Sequence, residues 1–109
     1  MKATSIERGR VIKDDSGVVA RAIYSAPEAM VVHIAVQPGG FVAPHVTPVD
    51  MEFFVIEGRG TFILGEESTE AGAGTLIPSP RGVPHGMRNA GPGVLRVLAI
   101  KNPRPADER

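Results

Sequence analysis

The chemistry available to this chain is concentrated in two short segments rich in glycine and proline. The first starts at Gly39, reaches His45 after five residues, passes Thr47 to Glu52, and closes at Gly58 after Phe53-Phe54-Val55-Ile56-Glu57. The second starts at Gly74, runs through Pro80 and Gly82 to His85, and ends at Asn89 after Gly86-Met87-Arg88. Imidazoles and a carboxylate beside turn residues are groups that transfer protons or coordinate metal ions. Cysteine is absent, which removes disulfides, thiolate ligands and a cysteine nucleophile. Any metal held here takes nitrogen and oxygen donors.

Such groups act together only if the intervening chain returns them to one place. Short apolar runs rich in β-branched or aromatic residues predict strands at Val18 to Tyr24, Met30 to Val36, Phe53 to Ile56, Thr61 to Leu64, Thr75 to Ile77 and Val94 to Ile100. Between them stand Pro38-Gly39-Gly40, Gly58-Arg59-Gly60, Gly65-Glu66-Glu67, Gly72-Ala73-Gly74 and Gly91-Pro92-Gly93, the punctuation of an all-β barrel or sandwich. With 109 residues there is room for one domain, 1–109, with a barrel core at about 18–101. The tail at about 102–109 has little to bury and is expected to be mobile.

Charge narrows the function classes. Lys plus Arg and Asp plus Glu are both 12, so no basic excess is available for phosphates, and nucleic acid is not an expected partner. No apolar run approaches the length of a membrane helix, and the opening MKATSIERGR is too polar for a signal sequence, so a cytoplasmic protein away from membranes is expected.

The two segments resemble the paired motifs of the cupin superfamily. The first cupin motif reads G-x5-H-x-H-x3or4-E-x6-G and the second G-x5-P-x-G-x2-H-x3-N. Residues 74–89 match the second at every fixed position. In residues 39–58, Thr47 stands where the first motif has its second histidine, and the Glu52-to-Gly58 spacing is one residue short. The resemblance implies an all-β double-stranded β-helix, a jelly-roll barrel. It also implies a divalent metal (Fe, Mn, Ni, Co or Zn) on His45, Glu52 and His85. Thr47 is a weak donor, so such a site has lost one protein ligand. Two imidazoles and one carboxylate are still the set of a non-haem iron centre with open positions. The alternative is a hydrogen-bonded cluster of the same residues around water or an anion.

Strand alternation extends this picture. If Glu52 points inward, Phe54 and Ile56 follow it, placing a carboxylate above an apolar floor. If His85 points inward, Met87 joins the lining and Arg88 faces out. His33 lies on the opposite face of its strand from Met30, Val32, Ile34 and Val36; it either replaces the imidazole missing at Thr47 or lies on the outside. Asp50 is a second carboxylate near the first motif, and Arg59 and Arg81 flank turn glycines as surface residues.

The function expected from this resemblance is a small-molecule-binding barrel that uses a metal as an oxygenase, decarboxylase or isomerase. A metal-free barrel binding an anion or small organic ligand is the rival. A metal-free sugar isomerase or epimerase is a third reading, disfavoured because the single tyrosine, Tyr24, lies outside both motifs. Open sheet edges and the resemblance together lead to the expectation of a homodimer.

Overall fold

A computed structural model describes residues 1–108; Arg109, the end of the tail, lies outside the described residues. Ten strands form two antiparallel sheets. They are β1 Arg10–Asp15, β2 Val18–Ala26, β3 Ala29–Val36, β4 Phe41–His45, β5 Asp50–Glu57, β6 Arg59–Leu64, β7 Glu67–Gly72, β8 Leu76–Ser79, β9 His85–Arg88 and β10 Leu95–Asn102. One sheet has the order β1-β2-β3-β10-β5-β8 and the other β4-β9-β6-β7. After β3 the chain passes repeatedly between the two layers, as in a double-stranded β-helix. Among the described residues no helix is long and apolar enough to cross a membrane.

Alternation decides what each strand buries. Val18 and Ala20 of β2, Met30, Val32 and Val36 of β3, Met51, Phe53 and Val55 of β5, and Leu95, Val97 and Ala99 of β10 turn one face inward. Phe62, Ala71 and Met87 meet them from the smaller sheet. This interdigitation is the favourable burial that holds the sandwich together.

Two glycines let the layers close. Gly58 has φ 81°, and a Cβ there would run into the Val94 carbonyl oxygen, so the β5–β6 turn requires glycine. At Gly86 a Cβ would lie 2.6 Å from the Val42 carbonyl oxygen, so the close approach of β4 to β9 beside His85 also excludes a side chain.

Asn89 is fully buried and joins the two motif segments. Its Nδ2 donates to the Val36 and Gly93 carbonyls at 2.8 Å each, and its Oδ1 accepts from Gly91 N at 3.0 Å. Its backbone exchanges hydrogen bonds with the first motif turn: Gly39 N donates to Asn89 O, and Asn89 N donates to Gly40 O.

The tail makes contacts with the barrel. Pro105 is buried, Arg104 N donates to Pro27 O at 3.3 Å, and the Arg104 guanidinium donates to Ser25 Oγ at 3.0 Å. A short 3₁₀ turn, Ala106–Glu108, follows and brings Glu108 to Lys101. Proline supplies the apolar anchor that the charged composition of the tail concealed.

Candidate functional site

The inner faces of the two sheets leave a cavity of about 140 Å³. Val32 and Ile34 of β3, Val42 of β4, Met51 and Phe53 of β5 and Met87 of β9 form much of its wall. The polar groups are Thr47, His45, His85, Lys13 and Lys101; among the described residues no carboxylate lines it.

His85 begins β9 and is 3% exposed. Its Nδ1 lies 3.1 Å from Ser79 Oγ and its Nε2 3.3 Å from Thr47 Oγ1. The Phe53 ring meets it edge-on at 5.3 Å and the His45 ring at 4.5 Å between centroids. Burial first, then the neighbouring His45 and Lys101, push the His85 pKa down to about 4, against an opposing hydrogen bond to the Val83 backbone. The ring is a neutral imidazole at neutral pH.

His45 ends β4 at the exposed mouth of the cavity. Its Nδ1–H donates to the Ala43 carbonyl at 3.1 Å, so in the neutral ring Nε2 is left as an acceptor. The loop from Thr47 is tied to the second motif by Gly82 N, which donates to Thr47 O at 3.1 Å. Asp50 reinforces this tie by accepting from Arg81 N at 2.9 Å and pairing with its guanidinium at 3.3 Å. The Arg81 backbone and guanidinium hold the Asp50 carboxyl below its usual pKa. Arg81 therefore joins the two motif segments, whereas Arg59 makes an exposed pair with Glu70 at 3.6 Å.

The structure brings His45, Thr47, His85 and Met87 together and leaves Glu52, Phe54 and His33 outside. Met51, Phe53 and Val55 are the buried residues of β5, so Glu52, Phe54 and Ile56 occupy the outer face, the reverse of the expected orientation. Glu52 Oε1 accepts from Asn102 Nδ2 at 2.6 Å on that face. The signal for this was already in the motif: the residue separated by three residues from Thr47 and by six from Gly58 is Met51, so the short Glu52 spacing marks Glu52 as one position out of register. His33 is buried on the outer face of β3, with Arg96 Nη1 donating to its Nε2 at 3.4 Å, and does not replace a missing imidazole.

The donor set does not fit a resident divalent metal. Thr47 and Met51 stand where the cupin motif has a histidine and a glutamate, and both nitrogens of His85 face hydroxyl groups. A thioether and a hydroxyl are poor partners for a hard or borderline cation, and among the described residues no anionic ligand in the cavity completes the two imidazoles. Among the described residues no group of three or more His, Cys, Asp and Glu is arranged to hold a metal ion.

Sequence reasoning also missed Ser79, Lys13 and Lys101. Lys101 was detectable, because Leu95, Val97 and Ala99 point inward and the next residue in that alternation is Lys101. Ser79 carried no comparable signal.

The family model of the cupin domain matches residues 32–101, more than half of the chain. The chain belongs to the cupin family. Among solved structures this cupin resembles KdgF from Halomonas sp., with a TM-score of 0.85 and 19% identity over 98% of this chain and 97% of that one. A predicted oxalate decarboxylase from Thermotoga maritima has a TM-score of 0.83 and 18% identity, covering 94% of this cupin and 99% of that chain. The polyketide cyclase RemF from Streptomyces resistomycificus has a TM-score of 0.82 and 24% identity, covering 97% and 82% respectively. These likenesses establish the double-stranded β-helix fold. None of the curated proteins matches this cupin in sequence.

Proposed function

We propose that this cupin binds a compact, largely apolar small molecule in its barrel without a resident divalent metal. The observation that carries this reading is the cavity of about 140 Å³, in which Met51 and Thr47 stand in place of metal ligands. A cavity of roughly 150 Å³ lined by aliphatic and aromatic groups is large enough for one six-membered ring. Thr47, His45 and His85 give the wall a polar corner that orients the ligand.

The test combines two measurements on protein purified without a histidine tag. Elemental analysis after dialysis against Fe, Mn, Ni, Co and Zn should find less than about a tenth of an equivalent bound. Single-ring compounds should produce saturable shifts of the Met51 and Met87 methyl resonances. One tightly held equivalent of metal, or methyls that no ring-sized compound moves, overturns the reading.

A second reading is favoured by His45, an exposed residue of the cavity wall whose Nδ1 is committed to Ala43 O, which leaves Nε2 as the acceptor. That arrangement suits a general base acting on a bound ligand. RemF is a polyketide cyclase, and a proton-transfer role here would add catalysis to binding. Turnover of a bound ligand that disappears in His45→Gln while binding persists would support it; unchanged turnover would exclude it.

The outer face of the six-stranded sheet suits a second copy of the chain. Val31, Ile100, Leu98 and Phe54 lie on adjacent strands of this face, and Leu76 beside Phe54 is 54% exposed. A homodimer would cover this stripe.

A further inference from the structure

The cavity has an unequal charge balance, and its compensating carboxylate comes from the tail. Lys101 is the inward residue that ends the run Leu95, Val97, Ala99 on β10, and it lines the cavity opposite Met51. Its side chain is only 14% exposed. Nζ is held at 2.6 Å by a carboxylate oxygen of Glu108, from the turn Ala106–Glu108. The other cavity lysine, Lys13, pairs at 2.7 Å with Asp15, which lies outside the lining. Ile12 belongs both to the cavity wall and to a cleft lined by Ser25, Asp107 and Glu108, so the tail turn sits directly over this end of the barrel.

We propose that Lys101 is the anion-binding residue of the cavity, that its ligand is a compact apolar carboxylic acid, and that Glu108 occupies the carboxylate position until the ligand displaces it. The inference rests on the reading of the cavity as a metal-free small-molecule site. A largely buried ammonium needs a nearby negative charge, because an uncompensated one is strongly destabilising. Among the described residues that charge is Glu108. Its tether is short and superficial: Pro105 is buried and Arg104 contacts Ser25 and Pro27, but Ala106 and Asp107 are exposed. The turn can therefore lift while the barrel stays intact. A ligand carboxylate at Lys101 places its apolar body against Met51, Phe53 and Val32, whereas a neutral ligand has no means of replacing Glu108. The exchange is one ion pair for another, with no covalent step, and couples ligand entry to release of the tail.

The probes are benzoate and benzamide, of nearly equal size and different charge, followed by titration of the Met51 and Met87 methyls of the full chain. Wild type should bind benzoate more tightly than benzamide. Glu108→Gln should strengthen benzoate by about tenfold, because the internal competitor is gone, and leave benzamide unchanged. Its melting temperature should drop and be restored by benzoate. Lys101→Met should bring the two affinities together. If Glu108→Gln changes neither affinity and benzoate has no advantage over benzamide, the role of Lys101 is overturned while the cavity reading stands. If neither compound moves the methyls in wild type or in Glu108→Gln, the cavity reading fails with it.

Discussion

Thr47 Oγ1 lies 3.3 Å from Nε2 of His85, so the residue that looks in sequence like a lost metal ligand is a partner of the second motif's imidazole. With Ser79 Oγ 3.1 Å from Nδ1 on the other side, His85 is clasped between two hydroxyls that donate or accept as the ring requires. The environment satisfies a neutral ring and gives no anion to a charged one.

A pH dependence follows from this clasp. The unfolded chain takes up a proton on His85 near pH 6.5, and the folded chain does so only near 4. Stability from this group is fully present above about pH 6.5 and is lost as pH falls through the window toward 4, by about 3 kcal/mol at most. His33, held below its usual value by burial and then by Arg96 and Arg21, acts in the same direction. Urea unfolding at pH 7 and 5 should show the loss, and His85→Gln should flatten it. Greater stability at pH 5 than at pH 7 would contradict the assignment.

Metal affinity should be recoverable by restoring the inward positions. The double variant T47H/M51E supplies a histidine and a glutamate beside His45 and His85, and should bind one equivalent of Co(II) with the visible absorption of a protein-bound ion. Without metal it should be destabilised by about 2–4 kcal/mol, the consequence of a carboxyl in an apolar wall, and metal should reverse that loss. Glu52→Ala should leave metal content and ligand binding unchanged. Loss of ligand binding in Glu52→Ala would show that the outer face matters to the cavity.

Asn89 should be among the most sensitive positions for stability. Asn89→Ala removes the donor to the Val36 and Gly93 carbonyls and the acceptor of Gly91 N inside the protein, at a cost of about 2–4 kcal/mol in denaturant unfolding. A loss below about 0.5 kcal/mol would show that water replaces these bonds.

Association through the outer sheet face is tested by charge. Light scattering of wild type at micromolar concentration should give twice the chain mass, and Leu76→Glu combined with Leu98→Glu should give the chain mass with the fold retained by circular dichroism. A wild-type monomer would remove the second copy from the account.

Much of the barrel was legible in the sequence because the buried strands β2, β3, β5 and β10 carry β-branched and aromatic residues in alternation. The strands that escaped notice have other compositions for physical reasons. β1 and β7 lie at sheet edges, exposed and rich in charge, and β4, also at an edge, contains Pro44. At the site, His45, Thr47, His85 and Met87 line one cavity. Glu52 was misplaced because residue type was weighed above spacing: a carboxylate beside two histidines suggests a ligand, but a shift of one residue sends a strand side chain to the opposite face. Lys101 was overlooked because a charged residue after an apolar run reads as the end of a strand.

Strand order has a consequence for how the molecule assembles. β10 is the last strand along the chain, yet it fills the gap between β3 and β5 at the centre of the larger sheet. Until it is in place, two apolar strands present open edges, and the pairings that close them join residues as distant as Val31 and Ile100. Such non-local closure is slow, and the interval before it is when unpaired strands of one chain meet those of another. Folding yield at high concentration should thus be governed by β10, a strand whose inner face also carries Lys101.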